Sequence, residues 1–126
     1  MKLFIYFAFL FLIGCSCSDE KPNFNKVEVL QMMLDGDPGL EIMVPKSMAE
    51  PLVVCADYLP PCKVGYKVKI NGMEVVGLYY ESQKNAYKSA KSMRGYHVRN
   101  WAFDQVKGEP ILERFFKKPL NAHPVE

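Results

Sequence analysis

The pair Asn71-Gly72, set between two alternating apolar runs, constrains this chain more than any other feature. A two-residue type I′ turn needs positive φ at both central positions, and Asn-Gly supplies it at little cost. Before the turn, Val64, Tyr66, Val68 and Ile70 alternate with Gly65, Lys67 and Lys69. After it, residues 73–81 form the return strand. The loop length predicts the pairs Ile70–Met73, Lys69–Glu74 and Val68–Val75. The second pair brings opposite charges together, which supports the register. One face of the hairpin at 64–81 carries Val64, Tyr66, Val68, Ile70, Met73, Val75 and Tyr79, and should look into a core. The other starts charged and ends apolar at Val76, Leu78 and Tyr80. That second strip also needs a cover, from the N-terminal segment or from a partner.

Downstream, Ser82 is placed to cap a helix over 83–93. Ala86, Ala90 and Met93, with Tyr87 beside them, make one apolar stripe, and Lys84, Lys88 and Lys91 lie away from it. Gly95 suits the C-cap position. Residues 96–103 read as a strand by composition. Their alternation changes phase between Val98 and Trp101, which a bulge near Asn100 or burial on both faces would explain. Glu109-Pro110 opens a helix over 110–117, with Pro at its first position and a Glu113–Lys117 pair. Residues 119–126 are expected to fray. Upstream, Val27 to Leu34 fits a strand or a short helix. With the turn at 35–39 and a strand at 40–44, residues 27–44 form a candidate hairpin.

The order hairpin, helix, strand, helix predicts an α+β fold: a small two-layer sandwich, mainly antiparallel, with helices on one face and a right-handed crossover. The element order resembles that of peptidoglycan-binding SPOR-type sandwiches, with no residue motif to carry sites across.

The N-terminus speaks of location. Lys2 precedes an unbroken apolar run at 3–13, too short to span a bilayer as a helix. Leu12-Ile13-Gly14-Cys15 then resembles the lipobox of bacterial lipoproteins. The resemblance implies that residues 1–14 are a signal peptide and that Cys15 becomes a lipidated first residue, anchoring the chain to a membrane. Ser16, rather than Asp, follows it, which favours the outer membrane facing the periplasm. Residues 15–25, polar and without apolar periodicity, read as a flexible lipidated tether. The single domain is expected at 26–118.

If Cys15 carries lipid, three of the four cysteines remain. In an oxidising envelope Cys55 and Cys62 are the natural disulfide, with Pro60-Pro61 bending the chain between them. The short loop gives about 2–3 kcal/mol of stabilisation. Cys17 is left over.

Composition argues against several chemistries. A formal net charge of +2 for an exported chain offers no case for nucleic acid. The C-x6-C spacing does not match a redox C-x-x-C, and Cys55, Cys62, His97 and His123 do not make a recognisable zinc motif. No G-x-S-x-G or Cys–His signature occurs, and Asp104, Glu109 and Glu113 each have a structural place. No catalytic residue, metal or cofactor is therefore expected. What stands out is a basic-aromatic group in which Arg99, Asn100, Trp101, Tyr80 and Lys88 are the candidate contacts. The expectation is a small binding or assembly module in a cell-envelope complex, with a protein partner, or alternatively a module that binds peptidoglycan.

Overall fold

The structure, a computed structural model, describes residues 21–125. The apolar run, Cys15 and Cys17 lie outside the described residues. In chain order the elements are α1 (Lys26–Gly36), β1 (Glu41–Ile42), a single 3-10 turn (Cys55–Asp57), β2 (Val64–Ile70), β3 (Met73–Tyr79), α2 (Gln83–Met93), β4 (Tyr96–Val98), β5 (Trp101–Asp104), α3 (Pro110–Lys117) and β6 (His123–Pro124). The fold is α+β. Its sheet has the order β1-β2-β3-β5-β4-β6, and every neighbouring pair is antiparallel.

The central hairpin has the expected register, from Val64 opposite Tyr79 to Ile70 opposite Met73. Its turn holds Asn71 at φ 53° and Gly72 at φ 81°. Lys69 does face Glu74 across the ladder, but the ion pair runs diagonally, with Lys67 Nζ 3.6 Å from Glu74 Oε2. Lys69 has a second cross-strand neighbour in Glu41 of β1.

Both faces of this sheet are apolar, so both are covered. On one, α1 and α3 supply Val29, Met33, Leu112 and Phe116 against Val68, Ile70, Val75, Tyr96 and Phe103. On the other, α2 lays Ala86 and Ala90 against Val76, Leu78 and Ala102, joined by Tyr80 and Cys62. The strip at Val76, Leu78 and Tyr80 is thus closed by the protein itself. Helices flank the sheet on both sides rather than one, because β3 alternates large apolar residues on both faces. α2 is capped as expected, Ser82 Oγ accepting from Asn85 N–H at 3.0 Å.

Four expectations are corrected. Residues 27–44 are not a hairpin. Lys26–Gly36 is a helix, started by a capping box in which Asn25 Oδ1 accepts from Glu28 N–H at 2.8 Å and Glu28 Oε1 accepts from Asn25 N–H at 3.1 Å. Residues 96–103 are two strands joined by a two-residue turn, not one strand with a bulge. The left-handed residue ending α2 is Arg94, at φ 53°, not Gly95. Gly95 is required for another reason: a Cβ there would lie 2.3 Å from the Phe103 carbonyl oxygen. Glu113 pairs with the Tyr96 hydroxyl, which donates to its Oε1 at 2.7 Å, rather than with Lys117. Burial and this carboxylate push the Tyr96 phenol well above its ordinary range.

The segment expected to fray is part of the domain. Leu120, Ala122 and Val125 are buried, and β6 adds the last strand beside β4. Ala122 N–H donates to the Phe116 carbonyl at 2.8 Å and Val125 N–H to the Gly95 carbonyl at 2.9 Å. A buried leucine truncated to alanine loses both transfer energy and packing. Leu120→Ala should therefore lower unfolding free energy by about 2–5 kcal/mol in denaturant titration. A frayed tail would show a change below about 0.5 kcal/mol.

Candidate functional site

The candidate contacts collect around the β4–β5 turn, where Val98 opposes Trp101 and only Arg99 and Asn100 lie between. Arg99 adopts a left-handed backbone, φ 51°, and this lets the chain reverse in two residues. Asn100 is completely buried. Its carbonyl accepts from Tyr80 N–H at 3.0 Å, and its Nδ2 donates to the Tyr80 carbonyl at 3.0 Å. Its Oδ1 accepts from Phe24 N–H at 2.8 Å. Trp101 Nε1 completes the grip by donating to the Phe24 carbonyl at 2.9 Å.

Arg99 holds the residues just before. Its Nη1 donates to the Pro22 carbonyl at 2.7 Å, and its guanidinium stands 4.6 Å from the centre of the Phe24 ring. Asn23 Nδ2 donates to the Glu81 carbonyl at 3.1 Å. Gln83 Nε2 donates to the Lys21 carbonyl and to Asn23 Oδ1. The expected flexible tether at 15–25 is thus clamped from residue 21 onward. Groups 58 to 77 residues away replace the ladder that a neighbouring strand would have offered.

This accounts for Arg99, Asn100 and Trp101, three of the expected candidate contacts. These residues recognise the chain's own N-terminal segment. Asn100 and Trp101 are buried within the fold, so they are not an external contact surface. Tyr80 is buried as well, its hydroxyl donating to the Pro60 carbonyl at 2.6 Å. Lys88 lies exposed on α2, and Arg99 is half-buried. The structure does not bring Lys88 together with the turn through any hydrogen bond or ion pair. Sequence reasoning missed the role of Phe24 and Asn25. The capping pair Asn25 and Glu28 was the signal that marked where α1 begins.

The clamp positions α1, and α1 leaves a groove. Lys26, Val29, Leu30 and Met33 form one wall; Ile42, Tyr66, Val68 and Trp101 form the other. The lining is almost wholly apolar, with Lys26 Nζ over the Tyr66 ring at 4.7 Å. Beside it Val27, Ile42 and Val44 are exposed. The free volume is only about 40 Å³, well short of the several hundred a small-molecule site occupies. Among the described residues no three metal-ligating side chains converge.

Cys55 and Cys62 form a disulfide with their Cα atoms 4.7 Å apart. It closes the loop that covers Leu78 and Tyr80. Tyr58, within that loop, donates to Asp104 Oδ2 at 3.3 Å. No protein-family model matches the chain, and no curated protein or solved structure is similar to it.

Two measurements check this geometry. Asn100→Ala removes both side-chain hydrogen bonds, to the Phe24 N–H and the Tyr80 carbonyl, and should cost about 1–3 kcal/mol for each buried partner left unsatisfied. It should also open residues 21–25 to protease, and a variant with wild-type stability and cleavage would contradict the clamp. Burial, then the Asp104 charge, push the Tyr58 phenol up to about 12. A phenol raised in the folded state stabilises fully below its unfolded pKa near ~10 and loses that contribution as pH rises further. Ultraviolet titration should find one phenol ionising near 12, and Asp104→Asn should lower it.

Proposed function

We propose that this chain is a lipid-anchored envelope protein acting as a small binding or assembly module, and that its contact surface is the groove between α1 and the β1–β2 edge. The observation that carries the reading is the groove's chemistry. It is apolar, open at a sheet edge only two residues long, and flanked by exposed Val27, Ile42 and Val44. Contiguous exposed apolar surface of this kind marks a protein contact. Its small volume suits one or two apolar side chains of an envelope partner rather than a substrate.

The clamp supports the anchored half of the proposal. With residues 21–25 held on the domain, only residues 16–20 separate it from Cys15. Six chain steps reach at most about 20 Å. A lipid at Cys15 would keep the domain close to the bilayer, with the β4–β5 turn towards it. The glycan-binding alternative has less support, because Tyr80, Tyr96 and Trp101 of the expected basic-aromatic face are buried and only Tyr87 beside them is exposed. Failure of the protein to co-sediment with purified peptidoglycan would remove it.

The two halves are tested separately. Cys15→Ser should block fatty-acid labelling and leave the precursor unprocessed; normal processing would sink the anchor. A photo-crosslinking residue at position 42 should give one discrete adduct in intact envelopes, absent when the same residue is placed at position 88. Ile42→Asp should dissolve the complex on native gels without altering the melting temperature. A protein that stays strictly monomeric, with no adduct at position 42, would refute the module.

A further inference from the structure

We infer that the hollow beside the clamp is a binding site for a phosphate-bearing anion, from a lipid headgroup or from free phosphate. The hollow has a volume of about 350 Å³ and opens where residues 21–24 meet the sheet. Its polar side chains are Lys21, Gln83, His97, Arg99, Asn121 and His123. Gln83 spends both N–H groups on Lys21 and Asn23 and Arg99 spends one on Pro22, which leaves Lys21, Asn121, His123 and the rest of the Arg99 fork as donors. Among the described residues no carboxylate lines it. The nearest acidic neighbour in the adjoining hollow, Glu81, is already paired with Lys63. A concave surface that offers Lys21, the remaining N–H groups of Arg99, the Asn121 amide and the His123 imidazole, with no carboxylate among them, presents donors that phosphate oxygens require.

The histidines add a second, independent observation. His97 and His123 oppose each other directly on β4 and β6, a register that sets Cβ atoms about 5 Å apart. Tyr87 of α2 meets the His97 ring edge-on at 5.6 Å between centres, and the backbone carbonyls of Arg99 and Gln83 lie close by. Yet His97 Nε2 is buried and makes no hydrogen bond of acceptable geometry. A buried ring nitrogen left in this state is uncommon in a folded protein. Burial, and then the charge of His123, hold His97 below its ordinary range. An anion held beside His123 in the hollow would offset the His123 charge and so raise the His97 imidazole. The inference stands apart from the anchor, because inorganic phosphate alone tests it.

The test is a nuclear magnetic resonance titration of both imidazoles in the full mature chain, held in neutral detergent at constant ionic strength. One arm adds inorganic phosphate, and the other adds a short-chain phosphatidylglycerol, with phosphatidylcholine as its control. The expected result is a saturable shift, with the His97 pKa rising by about one unit or more. Saturation by phosphate alone marks a site for the free anion. Saturation by phosphatidylglycerol at much lower concentration marks a headgroup site. Lys21→Gln and His123→Gln change exposed residues, should keep the melting temperature, and should each weaken binding by about tenfold. No saturation in either arm would overturn the site. So would shifts that chloride reproduces and that persist unchanged in Lys21→Gln.

Discussion

One side-chain amide holds the topology together. Asn100 is sealed from water; its side-chain amide bonds the Tyr80 carbonyl and the Phe24 N–H, and its backbone carbonyl accepts from the Tyr80 N–H. A buried amide is tolerated only when its partners are in place, so each partner is fixed by the others. The end of β3, the β4–β5 turn and the entry to α1 are therefore set as one unit. From Asn25 the capping box starts α1 at a defined residue, and from there α1 covers Val68 and Val75. Between α1 and the β1–β2 edge lies the groove.

The sheet is the middle layer of the molecule. Its two cores differ in grain. Under α1 and α3 the packing is aromatic, with Phe103 and Phe116 at 4.7 Å between ring centres and Trp101 stacked near Phe103. Under α2 it is fine-grained, with Ala86, Ser89 and Ala90 allowing the helix close to Leu78 and Ala102. The disulfide loop completes this second core where α2 ends its coverage. β6 then adds the edge beside β4, and its pairing draws Ala122 and Val125 inside.

Much of this was legible in the residues, and what was not shares one cause. The Asn-Gly hairpin, the Ser82-capped helix, the Pro110-started helix and the Cys55–Cys62 pair all declare themselves within a few positions. α1 was ambiguous because Val27 to Leu34 fits either period, although Asn25 and Glu28 carried the deciding cap. The β4–β5 turn was hidden because Arg99 is an unusual residue for a left-handed position. Phe24 and Leu120 could not be assigned from their surroundings, since their partners lie far along the chain. The candidate site was half visible. Arg99, Asn100 and Trp101 were expected as contacts for an external partner, and they contact residues 22–24 of the same chain instead.

The clamp also decides how the domain bears load. A chain tethered at its N-terminus is pulled from that end whenever its surroundings shift. Here tension would enter at residue 21 and pass, through the side chains of Arg99, Asn100 and Trp101, to the turn between β4 and β5. β5 lies inside the sheet, between β3 and β4. The pull is therefore shared among several bonds acting together rather than peeling an edge strand one bond at a time. A pull at residue 21 is thus a pull on the interior of the sheet.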